Sequence, residues 1–140
     1  MEAIRRRADL DRLVAAGGAL AVQVVDPEVP ASETFAADVA SVCARLPRIA
    51  TAVVDMRVAA EVAALFGIDR APALVLFRAG VGLFAGPAPE SASLLEALLR
   101  RALALDMDAV RTEMSRERAD AEGVMTHRAC PMSRRVDPEA

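Results

Sequence analysis

The stretch from Gly67 to Gly80, Gly-Ile-Asp-Arg-Ala-Pro-Ala-Leu-Val-Leu-Phe-Arg-Ala-Gly, constrains this chain more than any other segment. Pro72 stands directly before an unbroken apolar run, Ala73 to Phe77. Proline supplies no backbone donor, so it opens a strand and does not sit in the middle of one. A continuous apolar run without alternation predicts a strand buried on both faces. Ala79-Gly80-Val81-Gly82 then turns the chain, and Leu83-Phe84-Ala85 returns as a partner strand.

The remaining elements follow from spacing and punctuation. Residues 2–16 read as an opening helix with Ile4, Leu10, Leu13 and Val14 near one face, stopped by Gly17-Gly18. Ala19 to Val25 is a short strand rich in β-branched residues. Asp26-Pro27-Glu28-Val29-Pro30 is a loop. Ser32 is the expected N-cap of the next helix, with Glu33 in its first turn. That helix carries Phe35, Val39, Val42, Cys43 and Leu46 at helical intervals and ends at Pro47. Ile49 to Asp55 is a strand, and Val58 to Phe66 a short helix closed by Gly67. Gly86-Pro87-Ala88-Pro89 breaks the chain again. Ser91 or Ser93 caps a helix with Leu94, Leu95, Leu98, Leu99, Ala102 and Leu103 on one face. Residues 106–122 form a charged helix with a thin stripe of Met107, Val110 and Met114. Beyond Gly123 the pattern lapses, and residues 123–140 are expected to be a poorly ordered tail.

In order, the chain reads helix, strand, helix, strand, helix, strand, strand, helix. With the Ala71-Pro72-Ala73 motif, this resembles the thioredoxin-like superfamily. The resemblance implies an α/β three-layer fold, a mixed sheet of about four strands flanked by helices, over residues 1–105. It also implies a cis bond before Pro72, with Ala71 presenting backbone groups to a bound peptide. Thioredoxins carry a Cys-x-x-Cys pair in the loop facing that proline. By resemblance the pair would fall within Pro30-Ala31-Ser32-Glu33-Thr34-Phe35, which holds no cysteine.

Asp26-Pro27, Leu46-Pro47, Phe66-Gly67 and Arg70-Ala71-Pro72-Ala73 further resemble one cysteine-less branch, the nickel–iron hydrogenase expression/formation proteins of the HyaE/HupG type. That resemblance implies a non-catalytic chaperone that recognises the twin-arginine signal peptide of the hydrogenase small subunit. The expected peptide-binding residues are Ala71, Pro72 and Ala73 as a backbone-pairing edge. Asp26, Glu28 and Glu33 are expected to form an acidic lip for the peptide's arginines.

Composition sets the limits. The chain has 140 residues, enough for one domain with a real core. Its net charge of −3 argues against general nucleic-acid binding, which needs a basic face. No apolar run reaches the length of a membrane span. Arg5-Arg6-Arg7 followed by Leu13 to Val22 has the outline of a signal peptide. Asp9, Asp11, Arg12 and Gly17-Gly18 interrupt it, and cleavage would truncate the first strand, so a cytoplasmic protein is expected.

Two cysteines make no disulfide framework. Cys43 reads as a buried, inert thiol. His127 and Cys130 in the tail are too few for a metal or haem site, so no cofactor and no metal are expected. Ser32 has no histidine nearby in sequence to activate it. Two other classes stay open: a single-cysteine redox protein using Cys43 or Cys130, and a structural module that dimerises through residues 106–122.

Overall fold

The structure, a computed structural model, describes residues 1–128, with side chains described through Ala119. The chain divides into one compact unit, Met1–Ala104, and a second that begins at Leu105. The first unit runs β1 (Glu2–Ala3), α1 (Arg7–Ala15), β2 (Ala19–Val25), α2 (Pro30–Ala44), β3 (Ile49–Asp55), α3 (Ala60–Ala64), β4 (Ala73–Arg78), β5 (Val81–Pro87) and α4 (Ala92–Ala104).

Five strands form one mixed sheet in the order β1-β3-β2-β4-β5. β2 runs parallel to β3 and antiparallel to β4, and β4 and β5 form a hairpin. Alternation along β2 and β4 splits the core in two. Val22, Val24 and Val75 face α1 and α3, meeting Leu10, Val62 and Ala63. Ala21, Leu74 and Leu76 face the other way, meeting Phe35, Val39 and Val42 of α2 and Leu95 and Leu99 of α4. This is the expected three-layer arrangement, and the continuous apolar run of β4 is explained by helices on both sides of it.

The opening differs from the expected helix over residues 2–16. Glu2 and Ala3 pair with Ala52 and Val53 as a fifth strand, and the Ile4 amide donates to the Val53 carbonyl at 2.8 Å. The helix starts only at Arg7, because the Asp9 carboxylate accepts the amides of Arg5 and Arg6 and fixes the first turn there. Those two amides hold the Asp9 carboxyl below its ordinary value, the Arg5 bond contributing most.

α3 is shorter than Val58 to Phe66. The Asp55 carbonyl takes the amides of Val58 and Ala59 in a turn that delays the helix. β5 continues through Gly86-Pro87 instead of breaking there. It is an edge strand, where a terminal proline forfeits no ladder bond. Ala79 and Gly80, at φ 55 and 80, form the two-residue turn between β4 and β5. Of the two candidate capping serines, Ser91 caps α4, accepting the Leu94 amide at 3.2 Å.

The second unit contains α5 (Met107–Arg128), which runs past Gly123, where the sequence pattern placed its end. The rest of the expected tail, Cys130 included, lies outside the described residues. Among those residues no helix is long and apolar enough to cross a membrane.

Candidate functional site

Strand direction assembles one end of the sheet. The parallel strands β2 and β3 both finish there, and β4 begins there. The last ladder pair between β2 and β4 is Val24 with Ala73, and the Met56 amide donates to the Val25 carbonyl at 2.9 Å. The chain after β2, the chain after β3 and the Ala71-Pro72 step are therefore collected at the same edge. In α/β sheets, ligand crevices lie beyond the carboxyl ends of such strands.

The Ala71–Pro72 peptide bond is cis. Ala71 and Pro72 are half-buried, whereas Ala73 is only 2% exposed and belongs to the core. A groove of about 430 Å³ opens beside them, walled by Phe66, Ile68 and Arg70 on one side and Ala85 and Pro87 on the other. The Pro72 carbonyl accepts the Ala88 amide at 3.2 Å, tying this edge to the end of β5. Ala71 lies past the last ladder pair, and its N–H and C=O find no partner among the described residues. Asp69 and Arg70 are exposed on the rim without an ion pair among those residues.

The loop between β2 and α2 is closely tied. The Asp26 carbonyl accepts the Val29 amide, and its carboxylate accepts the Glu28 amide at 2.9 Å. Ser32 does not cap the helix. α2 begins at Pro30 in its first turn, and the buried Ser32 hydroxyl instead accepts the Asp26 amide at 3.0 Å. The serine's position one turn inside the helix turns its hydroxyl back across the loop, a contact local sequence rules do not anticipate.

The three acids therefore differ in what they can do. Asp26 shapes the turn. Glu28 faces the Arg57 guanidinium at 3.3 Å. Glu33 is exposed with no ion pair among the described residues. None of the three lines the groove beside Pro72. Arg57 was absent from the sequence-level candidates. The signal that finds it is topological: it follows β3, which lies parallel to β2, so both strands deliver their following residues to one edge.

Cys43 stands in the last turn of α2, half-buried among Val42, Leu46 and their neighbours, and burial raises its thiol pKa. Thirteen helical steps separate it from Pro30, about 20 Å at the usual rise. Gln23, one strand position before Val24, is also buried. Its Nε2 donates to the Met1 sulfur at 2.9 Å, and its Oε1 has no partner among the described residues.

Solved structures share this architecture. A thioredoxin of Fasciola hepatica superposes with a TM-score of 0.67 at 20% identity, over 72% of this chain and 98% of that one. A mutant thioredoxin of Halobacterium salinarum gives 0.68 at 17% identity, over 75% and 92%. Mitochondrial thioredoxin 3 of Saccharomyces cerevisiae, in its oxidised form, gives 0.66 at 12% identity, over 72% and 94%. At these identities the likeness establishes a thioredoxin-like fold and nothing finer. No protein-family model and no curated protein matches the sequence.

Proposed function

We propose that this protein is a non-catalytic thioredoxin-fold chaperone that holds an extended peptide along the Ala71–Pro72 edge. One observation carries the reading. The groove of about 430 Å³ is present and the Ala71 backbone is unpaired among the described residues, while the first turn of α2, at the same end of the sheet, holds Ser32 and no thiol. Strand addition gives affinity through main-chain bonds without covalent chemistry. The thiol alternative is poorly supported at Cys43, because a raised pKa keeps the nucleophilic thiolate scarce and the residue lies at the far end of α2.

Charge supports a cationic peptide. At this end of the sheet Asp26, Glu28, Glu33, Asp55 and Asp69 outnumber Arg57 and Arg70. With the HyaE/HupG resemblance, this favours the twin-arginine signal peptide of a hydrogenase small subunit, whose apolar stretch suits a groove walled by Phe66 and Ile68. Exposed ion pairs contribute only about 0–1 kcal/mol each, so the acids set selectivity and on-rate more than affinity.

Calorimetry of that peptide against the protein tests the reading. Binding is expected to weaken moderately with added salt. It should also weaken when both peptide arginines become lysine, which lacks the planar fork for a carboxylate. A Glu28→Gln/Glu33→Gln variant should bind less tightly, and no insulin disulfide should be reduced. Equal affinity for arginine and lysine peptides would remove the acidic lip, and turnover above that of a cysteine-free variant would remove the non-catalytic reading.

A further inference from the structure

α5 carries a pattern that the groove does not use. Met107, Val110 and Met114 follow the three-then-four spacing of a and d positions in a heptad repeat, and the sequence continues it with Glu117, Ala121 and Val124. Met107 is buried, Val110 is half-buried and Met114 is 41% exposed, so the accessible seam begins at Val110. The helix spans 22 residues, about three heptads. A stripe this narrow on an otherwise charged helix is too thin for a globular core face and has the width of a coiled-coil seam.

The flanking charges are sorted by sign. Counting Met107 as a, the g positions hold Asp106, Glu113 and Asp120, and the e positions hold Arg111, Arg118 and Met125. In a parallel pair of identical helices, each g residue meets the following e residue of the other helix. Glu113 then meets Arg118, and Asp106, which precedes the helix and caps it by accepting the amides of Asp108 and Ala109, meets Arg111, each contact occurring twice by symmetry. In an antiparallel pair g meets g and e meets e, which sets acid against acid and arginine against arginine. Ion pairs within the helix are exposed, Glu113 with Arg116 at 3.3 Å and Asp108 with Arg111 at 3.8 Å. Such pairs are weak and readily exchanged.

We propose that α5 associates with α5 of a second copy as a short parallel two-stranded coiled coil. Glu117 falls at a d position and faces its own copy there. That unfavourable layer makes the association reversible, and the short seam does the same. A dimer of this kind carries two Pro72 grooves on one particle, which would raise avidity for a partner offering two peptides. The pairing does not depend on what the groove binds.

Sedimentation equilibrium of the full chain is the test, with far-ultraviolet circular dichroism to confirm that each variant keeps its helix. The mass should rise with concentration from 14.8 kDa toward twice that value. Glu113→Arg and Arg118→Glu should each weaken the dimer about three- to tenfold, since each reverses two symmetric pairs. The double variant should restore the wild-type constant, because the swapped charges again meet across the parallel seam. Glu117→Leu should tighten the dimer about tenfold or more. A mass of 14.8 kDa at every concentration would overturn the proposal. So would a dimer indifferent to the single reversals, or one that the double reversal fails to restore.

Discussion

The Ser32 hydroxyl accepts the Asp26 amide at 3.0 Å, across the loop that precedes α2. In the segment where the thioredoxin resemblance places reactive thiols, this chain has a buried hydrogen bond that stiffens the loop. Ser32→Ala should cost about 1–2 kcal/mol, because the Asp26 amide loses its partner in a half-buried setting. Urea denaturation measures it. An unchanged midpoint would mean that the contact holds nothing in place.

The hairpin turn should be improvable. Ala79 sits at φ 55, a left-handed conformation that alanine rarely adopts and asparagine tolerates. Ala79→Asn makes the turn Asn-Gly, the preferred pair for a two-residue hairpin, and should stabilise the protein by about 0.5–1 kcal/mol. Thermal melting of the two proteins decides it, and a lower melting temperature for the variant would contradict the assignment of strain to this position.

Acid sensitivity should trace in part to Glu96. Arg45 and Arg100 both bond its partly buried carboxylate, Arg100 at 2.9 Å, and they hold its pKa below the ordinary 4.5, Arg45 contributing most. A depressed pKa contributes stability that is present above 4.5 and is lost as pH falls through the lower folded value. Glu96→Gln should be less stable than wild type near neutral pH, and the gap should close on acidification below 4.5. A gap independent of pH would exclude the ion pairs as its source.

The core fold was legible where local rules and tertiary demands agree. The apolar run of β4 and the proline before it read directly, and the cap of α4 was narrowed to Ser91 or Ser93. β1 did not, because a strand of Glu2 and Ala3 is too short to show a period, and Ile4 fits a helical stripe as well as a strand's end. At the candidate site, the cis bond between Ala71 and Pro72 was legible from their motif. The Glu28–Arg57 pair was not, since it depends on β2 and β3 lying side by side.

Gln23 was equally hidden: inside an apolar strand, one amide reads as an ordinary exposed position. It is 2% exposed, with Oε1 unsatisfied among the described residues. Gln23→Leu should therefore raise stability by about 1 kcal/mol, because an apolar side chain of similar size removes the desolvation cost. A destabilised variant, seen as a lower urea midpoint, would contradict that cost.

The central claim is that the edge at Ala71–Pro72 receives a peptide. Amide-resolved NMR of the isotope-labelled protein, titrated with a twin-arginine signal peptide of a hydrogenase small subunit, tests it most directly. The account predicts saturable shifts at Ile68, Asp69, Arg70, Ala71 and Ala73 and at Ala85 and Gly86, with α4 unaffected. Shifts confined to α4 or α5, or none at saturating peptide, would contradict it.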